Sequence, residues 1–445
     1  MKDPARRTSY DVVFAVDDGG AFANLLLPRL LNERSLGAQD AAFATELTYG
    51  TLRWQGVLDE VIAVAARRPV TALDPAVRAV LRLGAYQLLH MRVPPHAAVD
   101  SSVNLAREVA GHRVTGLVNA VLRAVTKKDF AGWTSQLAPK DEVGRLAFST
   151  GHPRWIAAAF LDALDGDLNE LGATMQPDRP VTHLVARPGR ISRDELLDAA
   201  GASAEPGPWS PYAVRLGGGG DPANLAPVRD GLAAVQDEGS QLVAVALANA
   251  TTHAGERAWL DMCAGPGGKA ALLAGLRPAD VVMVAADVQP HRAGLVADAL
   301  RRTGAATVVA DGTRPAWRPG SFDRILVDAP CTGLGALRRR PEVRWRRVES
   351  DAERLHELQV ELLRRAAEAV RPGGLIAYVT CSPHRHETRD VVDAVLADTP
   401  TLHRLDARPL LGGEVPMLGA GPDVQLWPHR HGTDAMYLAL LSSPA

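Results

Sequence analysis

The chain has 445 residues, of which 47% are hydrophobic and 22% are charged, and its formal net charge is −2. This length and composition describe a soluble globular protein with two or three domains and a sizeable core. No apolar run reaches membrane-spanning length. A net charge near zero excludes a uniformly basic protein, so nucleic-acid binding would have to use local patches.

The three cysteines form an odd count without paired spacing, which excludes a disulfide framework and favours a reducing compartment. The first residues lead into a segment of mixed polarity and not into the apolar core of a signal peptide. We therefore expect a cytoplasmic protein without a membrane partner.

Residues 1 to about 130 are predicted to be entirely helical. Apolar residues recur at helical spacing in three stretches, 23–31, 76–89 and 103–125. Pro94 and Pro95 interrupt the pattern before the last of these stretches. Lys and Arg slightly outnumber Asp and Glu in this part of the chain.

Residues from about 140 to 235 are predicted to be less regular and to form a small α+β module. Residues 181–187 have a strand pattern, and Ser192 is placed to cap a helix that runs through Ala200. Gly and Pro indicate turns or loops at 205–211 and 217–220.

From about residue 236 the pattern alternates between strands and helices. The predicted strands are 258–262, 281–286, 307–310, 324–327, 375–380 and 436–441, and the main helices are 292–302 and 352–370. This alternation predicts a parallel sheet covered by helices on both faces.

The first of these strands leads into a glycine-rich loop. Its residues are Cys263, Ala264, Gly265, Pro266, Gly267, Gly268 and Lys269. Glycines at this point let backbone amides approach a ligand, and the following helix N-terminus adds a favourable dipole. The spacing is not that of a dinucleotide loop. It also differs from a P-loop, which has Gly at the position of Cys263 and Ser or Thr at that of Ala270.

Acidic residues stand at the ends of the following strands, at Asp287, Asp311 and Asp328. The carboxyl ends of parallel strands line one crevice, and an acid at the position of Asp287 can bind ribose hydroxyls. Several acids with few phosphate-binding features suit a cationic nucleoside, S-adenosyl-L-methionine, better than a nucleotide.

Two thiols are predicted to meet near this crevice. Asp328 and Cys331 share a tight turn, and Cys381 ends the next strand. A thiolate that adds to carbon 6 of cytosine makes carbon 5 able to take a methyl group, after which a base must remove the carbon-5 proton. Two thiols and one acid suffice for the nucleophile, the elimination base and a hydrogen-bond partner.

These motifs resemble the Sun/Nop family of RNA 5-methylcytosine methyltransferases, which have a Rossmann-like fold. Residues 328–335, Asp-Ala-Pro-Cys-Thr-Gly-Leu-Gly, with 339–345 resemble its motif IV, and residues 380–383, Thr-Cys-Ser-Pro, resemble its motif VI. Residues 236–241 resemble the segment before its first strand.

The resemblance implies a role for each site residue. Cys381 is implied as the nucleophile, Cys331 as an aid to product release and Asp328 as a contact to the base or the cofactor. The implied contacts of S-adenosyl-L-methionine are Cys263, Ala264, Gly265, Pro266, Gly267, Gly268, Lys269, Asp287, Asp311 and Asp328. Gly265 departs from the family, which usually has Ala there.

The N-terminal part, through residues 40–50 and 81–89, resembles a NusB-type RNA-binding domain. The fusion is similar to the RsmB/Sun (Fmu) subfamily and implies a cytosine in 16S ribosomal RNA, free or in a small-subunit assembly intermediate, as the substrate. The predicted organisation is a NusB-like domain at 1–135, a linker and small α+β module at 136–235 and the methyltransferase domain at 236–445, in a monomer.

An arginine-rich segment follows the Cys331 turn and surrounds Trp345. Its arginines are Arg338, Arg339, Arg340, Arg344, Arg346 and Arg347. Because arginines contact phosphates and Trp planes stack on unpaired bases, we expect this segment to contact RNA.

No metal is predicted. Cys381, His384 and His386 lack the second ligand pair of a zinc site. Cys263 is predicted to pack beside the cofactor without reacting.

Two other functions stay open at this point. A DNA 5-methylcytosine enzyme would use Cys331 as the nucleophile, which the thiol at Cys381 and the NusB-like helices disfavour. A NusB-like antitermination or ribosome-assembly factor with an inactive methyltransferase fold would not need the intact acids and both thiols.

Overall fold

The computed structural model of the chain describes residues 3–176, 179–218, 220–252 and 255–444. They form two compact units. The first contains residues 3–176 together with Leu337–Val348, and the second contains the described residues of 179–336 and 349–444. This division into two units differs from the three predicted segments. The boundaries at 135 and 235 concern domains that fold independently, and they stay a prediction.

The first unit is helical. Its helices are α1 (Pro4–Gly19), α2 (Ala23–Glu33), α3 (Ala38–Ala66), α4 (Pro75–His90), α5 (Pro95–Ala110), α6 (Thr115–Val125), α7 (Phe130–Leu137), α8 (Glu142–Thr150), α9 (Arg154–Ala163), α10 (Leu168–Thr174) and α16 (Val343–Arg346). The helical prediction for residues 1 to about 130 is confirmed. Among the described helices, none has the length and hydropathy that a membrane crossing requires.

The prediction of less regular structure from about residue 140 is wrong as far as Thr174, because α8, α9 and α10 lie there. These helices are short, and glycine and proline separate the first two, which obscures their period in the sequence. Their starts nevertheless carry a local signal. Asp141 accepts the backbone N–H of Gly144, and Asp167 accepts that of Asn169, as N-cap residues do.

The core of the first unit is apolar, and the side chain of Arg82 is buried beside it. Leu58, Leu81 and Leu122 are fully buried. The guanidinium of Arg82 bonds to Asp17 at 2.8 Å and to Asp59 at 2.7 Å. Two carboxylates around one buried guanidinium compensate its desolvation, as a buried charge requires.

The segment Leu337–Val348 belongs to this helical unit, although it follows the Cys331 turn in the sequence. Trp345 lies against Gly56 of α3, and its indole N–H donates to the carbonyls of Leu52 at 3.0 Å and Arg53 at 3.2 Å. Arg344 is 2% exposed and donates to the carbonyl of Gly151.

The expectation that Trp345 and its neighbouring arginines contact RNA is therefore wrong for three of these residues. Trp345 and Arg344 bond to carbonyls of the helical unit, and Arg346 donates to the carbonyl of Val16 at 2.7 Å. The sequence pattern of basic residues around an aromatic ring does not distinguish a surface for phosphates from side chains that satisfy the free carbonyls of neighbouring backbone.

The second unit begins with a small antiparallel sheet of order β2-β3-β1-β4. Its elements are β1 (Thr182–Ala186), α11 (Arg193–Ala200), β2 (Ala204–Pro206), β3 (Ala213–Leu216), α12 (Ala226–Arg229) and β4 (Ala233–Val235). The predicted cap at Ser192 is confirmed, since Ser192 and Glu195 form a capping box. The predicted turn at 205–211 starts within β2, and Gly219 of the predicted loop at 217–220 lies outside the described residues.

The main sheet has the order β10-β12-β9-β8-β5-β6-β7, with β11 paired to β12. Its elements and helices are α13 (Glu238–Asn249), β5 (Ala258–Asp261), α14 (Gly268–Leu276), β6 (Val282–Asp287), α15 (Pro290–Ala299), β7 (Ala306–Val309), β8 (Phe322–Asp328), α17 (Ser350–Ala369), β9 (Val370–Thr380), α18 (Arg389–Asp398), β10 (His403–Leu405), β11 (Val424–Gln425), α19 (Pro428–His431) and β12 (Tyr437–Ser442).

The six strands predicted in this part are all present, and the predicted α/β fold is confirmed. The sheet is mixed and not wholly parallel. Strands β5 to β9 pair in parallel, whereas β12 runs antiparallel to β9, with Tyr437 opposite Thr380. Alternation along the sequence predicts the crossover units but cannot show the direction in which a last strand returns.

Helices cover both faces of the main sheet, as predicted. Along β8, Leu326 packs in one apolar cluster with Leu272 of α14. Its neighbours Ile325 and Val327 pack in the other cluster with Leu363 of α17. A strand buried on both faces has a continuous apolar run, which in β8 covers residues 325–327.

The contact between Gly56 and Trp345 yields a stability prediction. A Cβ atom at Gly56 would lie 2.1 Å from the Trp345 ring, so we expect Gly56→Ala to destabilise the helical unit by about 1–3 kcal/mol through overpacking. The measurement is the urea unfolding curve of the full chain. Gly116→Ala in α6 is the matched control, because a Cβ there meets nothing within 4 Å and helix propensity favours Ala.

A double substitution separates this contact from a general effect on α3. With Trp345→Ala already present, Gly56→Ala should add little further destabilisation, because the clash is gone. Equal effects of Gly56→Ala in both backgrounds would contradict the packing of Trp345 on Gly56.

Candidate functional site

Four adjacent parallel strands of the second unit deliver polar residues to one edge of the main sheet. β5 ends on Asp261, β6 on Asp287, β8 on Asp328, and β9 on Thr380, which Cys381 follows. Because the strands run in the same direction, their carboxyl ends form a common edge, where open α/β sheets bind ligands.

The glycine-rich loop joins β5 to α14 at this edge and is held by the strand next to it. Ala264 donates its N–H to the carbonyl of Ala286, and α14 begins at Gly268. Gly267 has a φ of 106°, a conformation that a residue with a side chain rarely adopts. The loop therefore presents backbone at the helix N-terminus, as a loop that binds a nucleoside does.

Asp287 and Arg292 enclose Gly265. The Gly265 N–H donates to the Asp287 carboxylate at 3.1 Å, and Arg292 donates to the Gly265 carbonyl. A Cβ at Gly265 would lie 2.4 Å from a carboxylate oxygen of Asp287 and 2.6 Å from Nε of Arg292. The departure from Ala at this position thus has a steric reason, since Asp287 and Arg292 occupy the space of the methyl group.

Lys269 connects the loop to the turn that carries Cys331. Its ammonium group lies 2.8 Å from the carboxylate of Asp328. Burial alone would lower the pKa of Lys269, but the Asp328 carboxylate outweighs it and raises the pKa. The pair fixes Asp328 next to the start of α14.

Asp261 lies fully buried at the end of β5. Burial, followed by the nearby Asp328 carboxylate, raises the pKa of Asp261 to about 8. Burial disfavours the charged form of an acid, and a second carboxylate adds repulsion. Asp261 therefore favours its protonated form at neutral pH, and no local pattern distinguishes it from the other acids at this edge.

The two thiols predicted to meet do so. The sulfur atoms of Cys331 and Cys381 are 3.3 Å apart, and both residues are partly exposed. Their hydrogen bond, together with burial, raises the pKa of Cys331, and the same hydrogen bond lowers the pKa of Cys381. Either sulfur could donate at this distance, but the lowered pKa of Cys381, to which the Lys269 ammonium also contributes, favours a Cys381 thiolate that accepts the S–H of Cys331. A thiolate is the nucleophilic form of cysteine.

Three residues around the thiols had no predicted role, namely Thr332, which lies within the motif at 328–335, Gln359 and Glu387. The buried Glu387 carboxylate accepts the backbone N–H of Thr332 at 2.7 Å, and the Gln359 amide donates to the carbonyl of Pro330 at 2.8 Å. An acid within the polar run His-Arg-His-Glu has the sequence signature of an exposed loop, so nothing local distinguishes Glu387.

Asp311 and Cys263 take little part in the hydrogen bonds and ion pairs described above for the site. Asp311 lies just beyond β7, is exposed, and accepts the N–H and hydroxyl of Thr313. Burial, followed by the carboxylates of Asp261 and Asp328, raises the pKa of Cys263, which keeps it a thiol. The predicted cofactor contacts of both residues stay predictions.

Among the described residues, no group of three or more His, Cys, Asp or Glu side chains is arranged to hold a metal ion. His384 and His386 lie in the loop after Cys381, where the His384 ring accepts the N–H of His386.

Comparison with protein families gives two matches that together span most of the chain. Residues 247–442 match the family described as 16S rRNA methyltransferase RsmB/F. Residues 3–127 match the NusB family.

Full-length relatives and a solved structure are similar over nearly the whole chain. A Mycobacterium tuberculosis (strain H37Rv) protein named "Putative methyltransferase Rv1407" is 52% identical, over 99% of this chain and 96% of that protein. Ribosomal RNA small subunit methyltransferase B of Pseudomonas syringae pv. tomato is 34% identical, over 96% and 94%. The crystal structure of PH0851 superposes with a TM-score of 0.82 at 22% identity and covers 99% of both chains, which shows a shared fold.

The raised pKa of Asp261 predicts a pH-dependent stability. Between about pH 4, where an aspartic acid of the unfolded chain titrates, and about pH 8 the folded state holds a proton that the unfolded state has lost. The contribution of this group is therefore full below pH 4 and is lost as the pH rises to 8.

In the variant Asp261→Asn the side chain is neutral at every pH, so the folded state does not lose this stability as the pH rises. We expect the variant to gain thermal stability relative to the unsubstituted chain on going from pH 5 to pH 9, by up to a few kcal/mol, as measured by calorimetry. Asp280→Asn, at an exposed position, is the control and should show no such trend. A difference between Asp261→Asn and the unsubstituted chain that is constant with pH would mean that Asp261 ionises normally.

Proposed function

Since this chain belongs to the 16S rRNA methyltransferase RsmB/F family, with an N-terminal NusB-family domain, we propose that it methylates carbon 5 of a cytosine in small-subunit ribosomal RNA. The methyl donor in this proposal is S-adenosyl-L-methionine. The observation that carries the proposal is the 3.3 Å thiol pair at the sheet edge that also holds the glycine-rich loop.

The residues of the loop fit the proposed cofactor. The backbone of Cys263–Lys269 and the N-terminus of α14 would hold its polar end, and Asp287, Asp311 and Asp328 would bind its hydroxyl and cationic groups. Each Asp287 oxygen accepts one backbone N–H, from Gly265 and Gln289, which leaves lone pairs for ribose hydroxyls. When bound, the cofactor supplies an electrophilic methyl group.

Cys381 starts the reaction in this proposal. Its thiolate adds to carbon 6 of the cytosine, a C–S bond forms, and the electrons of the 5,6 double bond move to carbon 5, which then takes the methyl group. The carboxylate of Asp328, held by Lys269, would accept a hydrogen bond from the cytosine amino group.

Cys331 assists the release of the product. Once Cys381 is bonded to carbon, its thiolate no longer raises the pKa of Cys331, so Cys331 can lose its proton to water. The Cys331 thiolate then takes the carbon-5 proton, the 5,6 double bond forms again, and the bond from carbon 6 to Cys381 breaks.

The substrate is proposed to be 16S ribosomal RNA, free or in a small-subunit assembly intermediate, in the cytoplasm. The NusB-family part, residues 3–127, is proposed to recruit the RNA, with the chain acting as a monomer and without a metal. The alternative of a DNA enzyme requires Cys331 as the nucleophile. The lowered pKa of Cys381 and the raised pKa of Cys331 favour the RNA reaction.

Two cysteine variants test the order of the thiols. We expect Cys381→Ser to abolish both methylation and covalent capture of RNA, because a hydroxyl is protonated at neutral pH and reacts far more slowly. We expect Cys331→Ser to form the covalent RNA complex and to accumulate it. Methyl transfer to 16S RNA and denaturing gels of the protein–RNA adduct measure both effects.

If covalent capture of RNA were instead lost in Cys331→Ser and kept in Cys381→Ser, Cys331 would be the nucleophile, as in the DNA enzymes. Methylation of neither RNA nor DNA by the unsubstituted chain would favour the non-catalytic alternative.

A change at Asp287 tests the cofactor site. We expect Asp287→Ala to weaken binding of S-adenosyl-L-methionine by about 1.5–3 kcal/mol, because charge-assisted hydrogen bonds to ribose and to Gly265 are lost. Isothermal titration calorimetry measures this, and RNA affinity should change little. Asp280→Ala, at an exposed acid before β6, is the control. Equal cofactor affinity in both variants would remove Asp287 from the site.

A further inference from the structure

A buried carboxylate lies behind the thiol pair. Glu387 is 0% exposed, and its side chain accepts two hydrogen bonds from Thr332, the residue after Cys331. One carboxylate oxygen accepts the Thr332 backbone N–H at 2.7 Å, and the other accepts the Thr332 hydroxyl. The carboxylate thus binds the residue next to one of the two reactive thiols on both its backbone and its side chain.

Gln359 of α17 holds the residue on the other side of Cys331. Its amide donates to the carbonyl of Pro330 at 2.8 Å and to Glu387 at 3.3 Å. Both neighbours of Cys331 are therefore fixed by one buried polar pair, so Cys331 has little backbone freedom.

Glu387 is itself anchored to the strand that carries Cys381. Its N–H donates to the carbonyl of His384, and its carbonyl accepts the hydroxyl of Tyr378, a buried residue of β9. The Cys331 turn is tied to the Cys381 loop a second time, since Gly335 donates its N–H to the Cys381 carbonyl at 2.8 Å. These hydrogen bonds of Thr332, Gln359, Glu387 and Gly335, called the frame below, hold the backbone beside both thiols and so limit the distance between the two sulfurs.

If hydrogen bonding were the whole role of Glu387, a buried carboxylate would be less favourable in free energy than a neutral side chain that makes the same bonds. Removing a carboxylate from water costs several kcal/mol, and a neutral amide of the same size can also accept the Thr332 N–H. The negative charge has a second effect, because Glu387 is among the groups that raise the pKa of Cys331, after the Cys381 hydrogen bond and burial. A protonated Cys331 is the one that can donate to Cys381.

We propose that Glu387 is a positioning residue for the thiol pair, which holds the turn of Pro330 and Thr332 so that the S–H of Cys331 points at the sulfur of Cys381. The inference rests on the proposed function for its catalytic consequence, a Cys381 thiolate ready to add to the base. The charged and titratable groups that influence the pair are Lys269, Asp328, Tyr378, Glu387 and Asp434.

The test measures thiol reactivity and needs no RNA. The full chain is alkylated with iodoacetamide from pH 5 to pH 10, and mass spectrometry follows the peptides of Cys263, Cys331 and Cys381 separately. In the unsubstituted chain Cys381 should react first, with an apparent pKa below that of an ordinary thiol. In Glu387→Ala this pKa should rise, and each unit lowers the thiolate fraction at pH 7 about tenfold.

Glu387→Gln separates the geometry from the charge. The amide oxygen can accept the Thr332 N–H while the amide N–H donates to the Thr332 hydroxyl, so the turn should be kept. Cys381 should then react nearly as in the unsubstituted chain, while Cys331 should begin to react at a lower pH because the neighbouring charge is gone. Asp390→Asn, on α18 and outside the frame, is the matched control.

A double substitution distinguishes positioning from general loosening. With Cys331→Ala present, Cys381 has no S–H donor, so Glu387→Ala should cause no further rise in its pKa. An unchanged Cys381 profile in Glu387→Ala, or an equal loss of reactivity in the Cys331→Ala background, would overturn the role of Glu387. A Cys381 that is no more reactive than Cys263 in the unsubstituted chain would instead overturn the nucleophile assignment of the proposed function.

Discussion

Strand β8 lies between β5 and β9, and all three run in the same direction. Their ends therefore bring Asp261, Asp328 and Cys381 to one edge, although long stretches of chain separate these residues. Because a parallel strand needs a crossover to reach its neighbour, each strand end is also followed by a new loop. The glycine-rich loop and the Cys331 turn are two of these loops, and the site depends on this shared direction.

The edge gathers more carboxylates than it has cations to pair with them. Lys269 pairs with Asp328 and Arg292 lies beside Asp287, while Asp261 retains its proton because burial and its neighbours oppose a further charge. With Asp261 protonated, each of the two ionised carboxylates lies beside one cation, so the edge has no excess of positive charge that would attract phosphates. At the thiols, the shared hydrogen bond raises the pKa of Cys331 and lowers the pKa of Cys381.

The helical unit is completed by a segment from the other end of the sequence. Residues Leu337–Val348 follow the Cys331 turn directly. Trp345 bonds to the carbonyls of Leu52 and Arg53, and Arg344 bonds to the carbonyl of Gly151. Removing the N-terminal helices would leave an indole and a buried guanidinium without these acceptors. The role of this unit in RNA binding is therefore better examined by point substitutions on its surface than by truncation.

The sequence by itself predicted the thiol pair and the glycine-rich loop of the candidate site. Glycines before a helix, acids at strand ends and two cysteines in Pro-Cys and Thr-Cys turns are local patterns, and they placed Cys331 and Cys381 at adjacent strand ends because strand direction follows from the alternation. Only the tertiary structure decided which basic and acidic residues lie close to that site. Trp345 and Arg344 turned out to be packed within the helical unit, whereas Glu387 lies buried behind the thiols. Burial and hydrogen-bond partners arise from contacts between residues far apart in the chain, so a local pattern carries no record of them.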